Sequence, residues 1–459
     1  MPFILPGNVG SATAATGFSV DNSCMFNSAD SASLSKTPSS DGSNTVWTVS
    51  MWVKRASLAS GKLHAAGTSD TYEFLFDDSN FGLTLYNGDA KIFETTRALR
   101  DISAWYSIVL AYNTGLSGTN KVKLFINGVQ ETSFSTDNRS SAGTMNHINQ
   151  DIVQYVGRTH GGGLFDGYMA EVCIIDGTAY AASDFGEFDG DSGIWKPIDV
   201  SGLTFGTNGF YLDFKVSGNL GNDANGGTDL TENNIAATDQ MIDTCTNNFP
   251  TLNSLESSTV RGTNTYSQGN LQVLTPQGET GNTFSTVGVS SGKWYSEFYI
   301  KANSGIERSL VGVSGDVGAT LSVANNVGSL SGARDVGYMG NDGDKFVSGS
   351  ESSYGGSAFS VGDVIGVALD LDNNTVNFAQ NNSFKGTIAI SSTGTFHMGC
   401  GDVSGGARAT IVANYGQNSS FAGSITAANN ADEHGEGLFK YSPPSGFITL
   451  NTKNLAEYG

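Results

Sequence analysis

From Val46 onward the chain is written in short alternating runs that stop at glycine, and this punctuation constrains the fold more than any other feature. VWTVSMWVKR, YEFLFDD, FGLTLYNG, AKIFETT, WYSIVLAYN, KVKLFINGVQ and GYMAEVCIIDG are alternating or rich in aromatic and β-branched residues. Each is bounded by Gly, Asn, Asp or Ser. Sixty glycines against eight prolines, with no long Leu or Ala runs, favour many tight turns over helices. The expectation is an all-β chain.

The 459 residues exceed one ordinary core and suit two domains. A second set of strands begins at GKWYSEFYIKA and continues through RSLVGVSG, DVGYMGN, DVIGVALDLDNNTVNFAQNN, FHMGCGD and ATIVANYGQ. Between the sets lies SGNLGNDANGGTDLTENNIAATDQ, polar and without an apolar face. The predicted organisation is an N-terminal attachment segment (1–20), a first sandwich (21–216), an irregular connector (217–275), a second sandwich (276–425) and a C-terminal packing tail (426–459). Asn127–Gly128 predicts a type I′ hairpin, and Asp372–Asn373–Asn374 a second tight turn. Trp47, Trp52 and Trp105 are expected in the core, with Trp195 and Pro197 anchoring a loop. The tail, with its Pro443–Pro444 step, is too short to fold alone and must pack on its own domain or a neighbouring subunit.

A formal charge of −21 repels a phosphate backbone, so nucleic acid is excluded as an expected partner. The four cysteines, Cys24, Cys173, Cys245 and Cys400, are widely spaced and read as free thiols. The opening MPFILPGNVG lacks a basic flank and is broken by prolines, unlike a secretory signal. No run reaches the roughly 18 apolar residues of a membrane span, so no membrane insertion is expected. These features together suggest assembly inside a cell and release in a particle.

The W-x-V-S-M-W-V opening, the KVKLFINGV hairpin and the YVGR…FDGYMAEVCIIDG close resemble the laminin-G-like branch of the concanavalin-A-like lectins. GKWYSEFYI, VGDVIGVALDLDNNTVNFAQNN and IVANYGQ are similar to a SPRY domain over roughly residues 285–420. These resemblances imply two tandem concanavalin-A-like antiparallel β-sandwiches, or jelly rolls. SDFGEFDGDSGIWKP, GTNGFYLDF, ATDQMIDTCTNNFPTLN and SPPSGFITLNTKNL resemble phrases of tail and fibre proteins from bacterial viruses, especially marine ones. That resemblance implies a virion structural protein, a tail-fibre, tail-tip or head-fibre subunit on the particle surface that binds a host-cell glycan or protein receptor. Homo-oligomerisation, as a trimer for example, and contact with other virion proteins through the first twenty residues go with it. A capsid or tail cement protein without host contact is the alternative, and an envelope-polysaccharide depolymerase a third reading.

Catalysis finds little support. A retaining glycosidase needs two carboxylates about 5 Å apart. Glu187, Asp189 and Asp191 come nearest but sit in a glycine-rich loop. Glu73 and Glu297 have no acidic neighbour two residues away and read as solvent-facing strand residues. The five histidines, His64, His147, His160, His397 and His434, lack metal-ligand spacing, and His397 reads as an interior residue. The chain is therefore expected not to be an enzyme and to need no organic cofactor. Laminin-G-like sandwiches often hold Ca2+ at the rim, which makes Asp77 with Asp78, Asp166, and Asp189 with Asp191 oxygen donors to consider, with no fixed ligand set. Sugar binding needs an aromatic platform beside amides or carboxylates. Tyr72, Tyr86 and Asn87 in the first sandwich, and Tyr338, Asn341, Asp342 and Tyr354 in the second, have that character.

Overall fold

The computed structural model describes residues 17–69, 72–256, 263–277, 280–303, 309–322, 327–402 and 408–459. Most of the predicted attachment segment, residues 1–16, lies outside the described residues. The chain is all-β and divides into two compact units that meet in sequence between Asn248 and Phe249.

The first unit is a sandwich of two eight-stranded antiparallel sheets. One sheet runs in the order Val129–Gln130, Val122–Ile126, Trp105–Asn113, Val46–Arg55, Gly167–Asp176, Ser23–Phe26 and Gln240–Met241, with Phe210–Leu212 also paired to Gly167–Asp176. The other runs Phe134–Asp137, Ala90–Thr95, Leu83–Asn87, Tyr72–Phe76, Gly61–Ala66, Gln154–Val156, Ser33–Lys36 and Thr231–Asn233. Between them pack Trp47, Val49, Met51 and Val53 against Phe74, Phe76, Leu83 and Leu85, all fully shielded. The period-2 pattern produces this directly, because alternate side chains of a strand leave on opposite faces.

In the first sheet the opposite face is covered too. Val109, Cys173, Ile175 and Tyr211 form a second apolar layer with Phe185, Val200 and Phe205 from the excursion that follows Asp176. That double burial explains why GYMAEVCIID is buried at all ten positions. Trp47, Trp52 and Trp105 are buried as expected. Trp195 lies on Gly128, where an added Cβ would sit 2.2 Å from the indole, and its Nε1 donates to Ser107 Oγ at 3.1 Å. Asn127 and Gly128 have φ of 49° and 75°, the left-handed pair that a type I′ turn requires.

The stretch 217–275, read from the sequence as a connector, divides between the units. Leu220, Leu230 and Ile235 enter the first core. Thr231–Asn233 adds an edge strand to Ser33–Lys36. In the second unit, Thr265–Ser267 and Gln272–Leu274 form a hairpin whose second strand pairs with Ala409–Asn414. These apolar residues are isolated anchors in turns and two- or three-residue strands, so they leave no periodic signal.

The second unit is also a sandwich. One sheet orders Thr265–Ser267, Gln272–Leu274, Ala409–Asn414, Lys293–Asn303, Val364–Asp370, Thr375–Gln380 and Ser383–Ala389. The other orders Thr283–Phe284, His397–Asp402, Ser309–Ser314, Asp335–Met339, Lys345–Val347 and Ser350–Ser352. The C-terminal tail packs on this unit: Ile448–Thr449 runs parallel to Lys293–Asn303, and Leu450 joins the core. All four cysteines are free thiols.

One buried group of the first core is polar. A bulge between Lys62 and His64 turns His64 inward, where its ring lies 5.4 Å from Tyr72 and 6.4 Å from Phe210. Neither ring nitrogen has a hydrogen-bond partner, and burial pushes its pKa down from 6.5 to about 3. A histidine held neutral in the fold stabilises it fully above its unfolded pKa, and that contribution is lost as pH falls from 6.5 toward 3. His64→Leu is expected to flatten the acid limb of the first unit's stability by up to about 5 kcal/mol. Chemical unfolding of both chains at pH 7 and pH 4 checks this; a stability difference that does not change between the two pH values contradicts it.

Candidate glycan-binding face

The second sheet of the first unit leaves part of its outward face open. Along Tyr72–Phe76 the residues Tyr72, Phe74 and Phe76 point into the core, while Glu73 points outward beside Tyr86 of the neighbouring strand. Lys62 pairs across with Leu75, and its Nζ lies 2.7 Å from Glu73 Oε2. Together with Ser60, Asp77, Gly88 and Asp89 these residues line an open, mostly polar depression of about 470 Å3. Lys91 stands 5.5 Å from the Tyr86 ring centroid and pairs with Glu94. Burial alone raises the Asp77 carboxyl, but the Ser79 hydroxyl and amide and the Lys91 charge outweigh it and hold the group below its usual value. The result is a half-buried aromatic ring flanked by ionised and hydroxyl groups, an arrangement that meets a sugar's apolar face and its hydroxyls together.

Of the residues singled out from the sequence, Tyr86 belongs to this depression. Asn87 does not: its amide donates to Thr144 O at 3.1 Å and accepts from Asn146 N at 2.8 Å, fixing a loop. Tyr72 is fully buried, stacked edge-on to Trp47 at 5.6 Å. Tyr338 and Tyr354 are likewise interior, in an aromatic cluster with Phe359 and Phe378. All three tyrosines are corrections: each occupies the inward phase of its strand or plugs the core, so no ligand reaches its ring. Asn341 and Asp342 stay exposed on a turn, where Asn341 Nδ2 donates to Asp342 Oδ2 at 2.9 Å. Sequence reasoning passed over Lys62 and Asp89. The signal for Lys62 was present, since it holds an outward position in GKLHAA.

Asp189 accepts from Ser192 N at 2.9 Å and from Lys196 Nζ at 3.2 Å, closing its own loop. Asp166 is largely buried, and that burial raises its pKa to about 6. Among the described residues the convergent carboxylates are Asp342, Asp344 and Glu351, in the second unit. Glu187 and Asp189, weighed as a catalytic pair, both face Lys196, at 3.4 and 3.2 Å.

The comparisons with known proteins follow this division. Residues 26–182 match the concanavalin A-like lectin/glucanases superfamily, and residues 280–419 match the SPRY domain. The chain thus carries a concanavalin A-like domain followed by a SPRY domain. No curated protein matches the sequence significantly. Among solved structures, the SPRY domain of human HERC1 is 20% identical over 35% of this chain and 96% of its own, with a TM-score of 0.30. A candidate carbohydrate binding protein from Bacteroides ovatus is 17% identical over 47% of this chain, with a TM-score of 0.34; the chain spans 59% of it. A heptameric SAP-like pentraxin from Limulus polyphemus is 16% identical over 35% of this chain and 78% of its own, with a TM-score of 0.28.

In the SPRY domain, Glu297 corrects the sequence reading of a solvent-facing residue. It is fully buried, accepts from the backbone N–H groups of Lys440 and Tyr441 at 2.7 and 2.8 Å, and holds the C-terminal tail. Burial raises its pKa to about 7 against the opposing pull of those N–H donors. Glu297→Leu is expected to destabilise this domain by about 1–3 kcal/mol, because two partly buried N–H groups lose their acceptor. Glu297→Gln, which keeps an acceptor oxygen, should cost less. Hydrogen exchange at the Lys440 and Tyr441 amides checks the mechanism, and unaltered protection in the Leu variant contradicts it.

Proposed function

We propose that this protein is a non-enzymatic adhesin of a virus particle, a tail-fibre, tail-tip or head-fibre subunit whose concanavalin A-like domain binds glycan on the host surface. The observation that carries the reading is the open depression around Tyr86, with Lys62, Glu73, Asp77 and Asp89 on its walls. It offers one ring for stacking and several charged partners for hydroxyls, on the outward face of a sheet. The virion assignment is supported by the phrases at residues 183–197, 206–214 and 237–253 and in the C-terminal tail that resemble bacterial-virus fibre proteins. The strongly acidic composition supports display in solution. Weak single-site binding would suffice on a particle, since many linked copies raise the effective concentration without new contacts.

A decoration or cement role without host contact is the second reading. The burial of Tyr72, Tyr338 and Tyr354 favours it, because these aromatics pack the interior and are not displayed.

The multimerised protein is expected to bind host envelope fractions, and Tyr86→Ala to weaken that binding about two- to twelvefold, the worth of one stacked ring at about 0.5–1.5 kcal/mol. Surface plasmon resonance on immobilised envelope polysaccharide measures it. No binding by the parent protein supports the cement reading, and parent-like binding by the variant removes Tyr86 from the site.

A further inference from the structure

The outward face of Val46–Arg55 carries a buried polar knot that glycan binding does not use. Lys54 and Asp243 are fully shielded, with Lys54 Nζ 2.7 Å from Asp243 Oδ2. The same Nζ lies 2.7 Å from Asn248 Oδ1. Trp105 Nε1 donates to the other Asp243 oxygen at 3.1 Å, and the Tyr168 ring centroid is 5.7 Å from Nζ. Asn248 Nδ2 donates to Ser103 O at 2.7 Å, which fixes the amide plane and turns its carbonyl toward the amine.

We propose that Lys54 and Asn248 become joined by an intramolecular isopeptide bond, formed by the folded protein itself with Asp243 as proton carrier. A C=O bond is about 1.23 Å long, so the amide carbon lies within about 3.9 Å of Nζ, close to an attack distance. Burial lowers the Lys54 pKa in opposition to the Asp243 charge and hydrogen bond, which favours the neutral, nucleophilic amine. Lys54 passes a proton to Asp243, and the free amine adds to the Asn248 side-chain carbon to give a tetrahedral adduct. Asp243 relays protons from the former amine to the amide nitrogen. The C–N bond to that nitrogen then breaks and ammonia leaves. One amide replaces another, no oxidant or reductant is consumed, and the carboxyl returns to its starting state once its proton is given up to ammonia or solvent.

The bond would span 194 residues. It ties a central strand of the first unit to that unit's last residue, where the chain passes to the second unit. Tension arriving at Asn248 would then reach Val46–Arg55 directly, without peeling away the strands between.

Tryptic peptide mapping of the native full-length chain tests the proposal. The expected result is a branched peptide containing Lys54 and Asn248, with trypsin failing to cut at Lys54 and the joined mass short by one ammonia. A succinimide at Asn248 would lose the same mass but leave two separate peptides, and that result overturns the proposal. Two separate peptides of full mass, after prolonged incubation at 37 °C, overturn it equally and leave Lys54, Asp243 and Asn248 as a buried ion pair with an amide neighbour. Asn248→Ala should yield only the separate Lys54 peptide, cut normally. Asp243→Asn, which keeps both reacting groups, should leave them unjoined, whereas a fully joined Asp243→Asn chain removes the proton-carrier role. The decisive reading comes from the native chain, so it does not depend on whether either variant folds.

Discussion

The first domain is organised around one strand, Val46–Arg55, that is covered on both faces. Its inward residues, Trp47, Val49, Met51 and Val53, build the core between the sheets. Its outward residues lie under segments that return from far along the chain, among them the one ending at Asn248. Burying both faces removes about 1.5–3 kcal/mol of exposed apolar surface per large side chain. It also forces any polar group on those faces to find a partner inside. Lys54 meets that demand through Asp243, and Arg55 through the carbonyls of Ser57, Ala59 and Leu99. Because this sheet is sealed, the sheet bearing Tyr86 supplies the domain's open polar face.

The SPRY domain solves a related problem with a carboxylate. Its strand Lys293–Asn303 sits between Val364–Asp370 and Ala409–Asn414, and the tail crosses it. A tail of irregular backbone brings N–H groups that no ladder satisfies, and a buried unpaired N–H costs about 1–3 kcal/mol. Glu297 supplies the acceptors for Lys440 and Tyr441, while Asp432 accepts from Thr449 N at 2.8 Å and Asn454 Nδ2 at 3.0 Å. Two buried acids thus do for the tail what strand pairing does elsewhere.

Much of this was legible in the residues, and the misreadings share a cause. Alternation in YEFLF places Tyr72 with Phe74 and Phe76, which is its observed inward phase; treating it as a sugar platform ignored its own strand period. Tyr86 in LTLYN has the opposite phase and does face outward. Glu297 also obeys alternation, lying on the face of its strand away from Phe298, but that face is covered by a tail more than 140 residues later. Nothing local in GKWYSEFYI announces that cover.

The β class, the two strand sets, the left-handed turn at Asn127–Gly128 and, away from bulges such as the one at His64, the side of the strand a residue takes were set locally, because these follow from backbone sterics and period-2 geometry within a few residues. Tertiary structure alone decided which outward faces stay open and which are sealed, the placement of residues 217–248 in the first unit, and the meeting of Lys54 with Asp243 and Asn248. Those outcomes depend on contacts between segments up to 194 residues apart, and the order in which loops fold back over a sheet leaves no periodic trace in the chain.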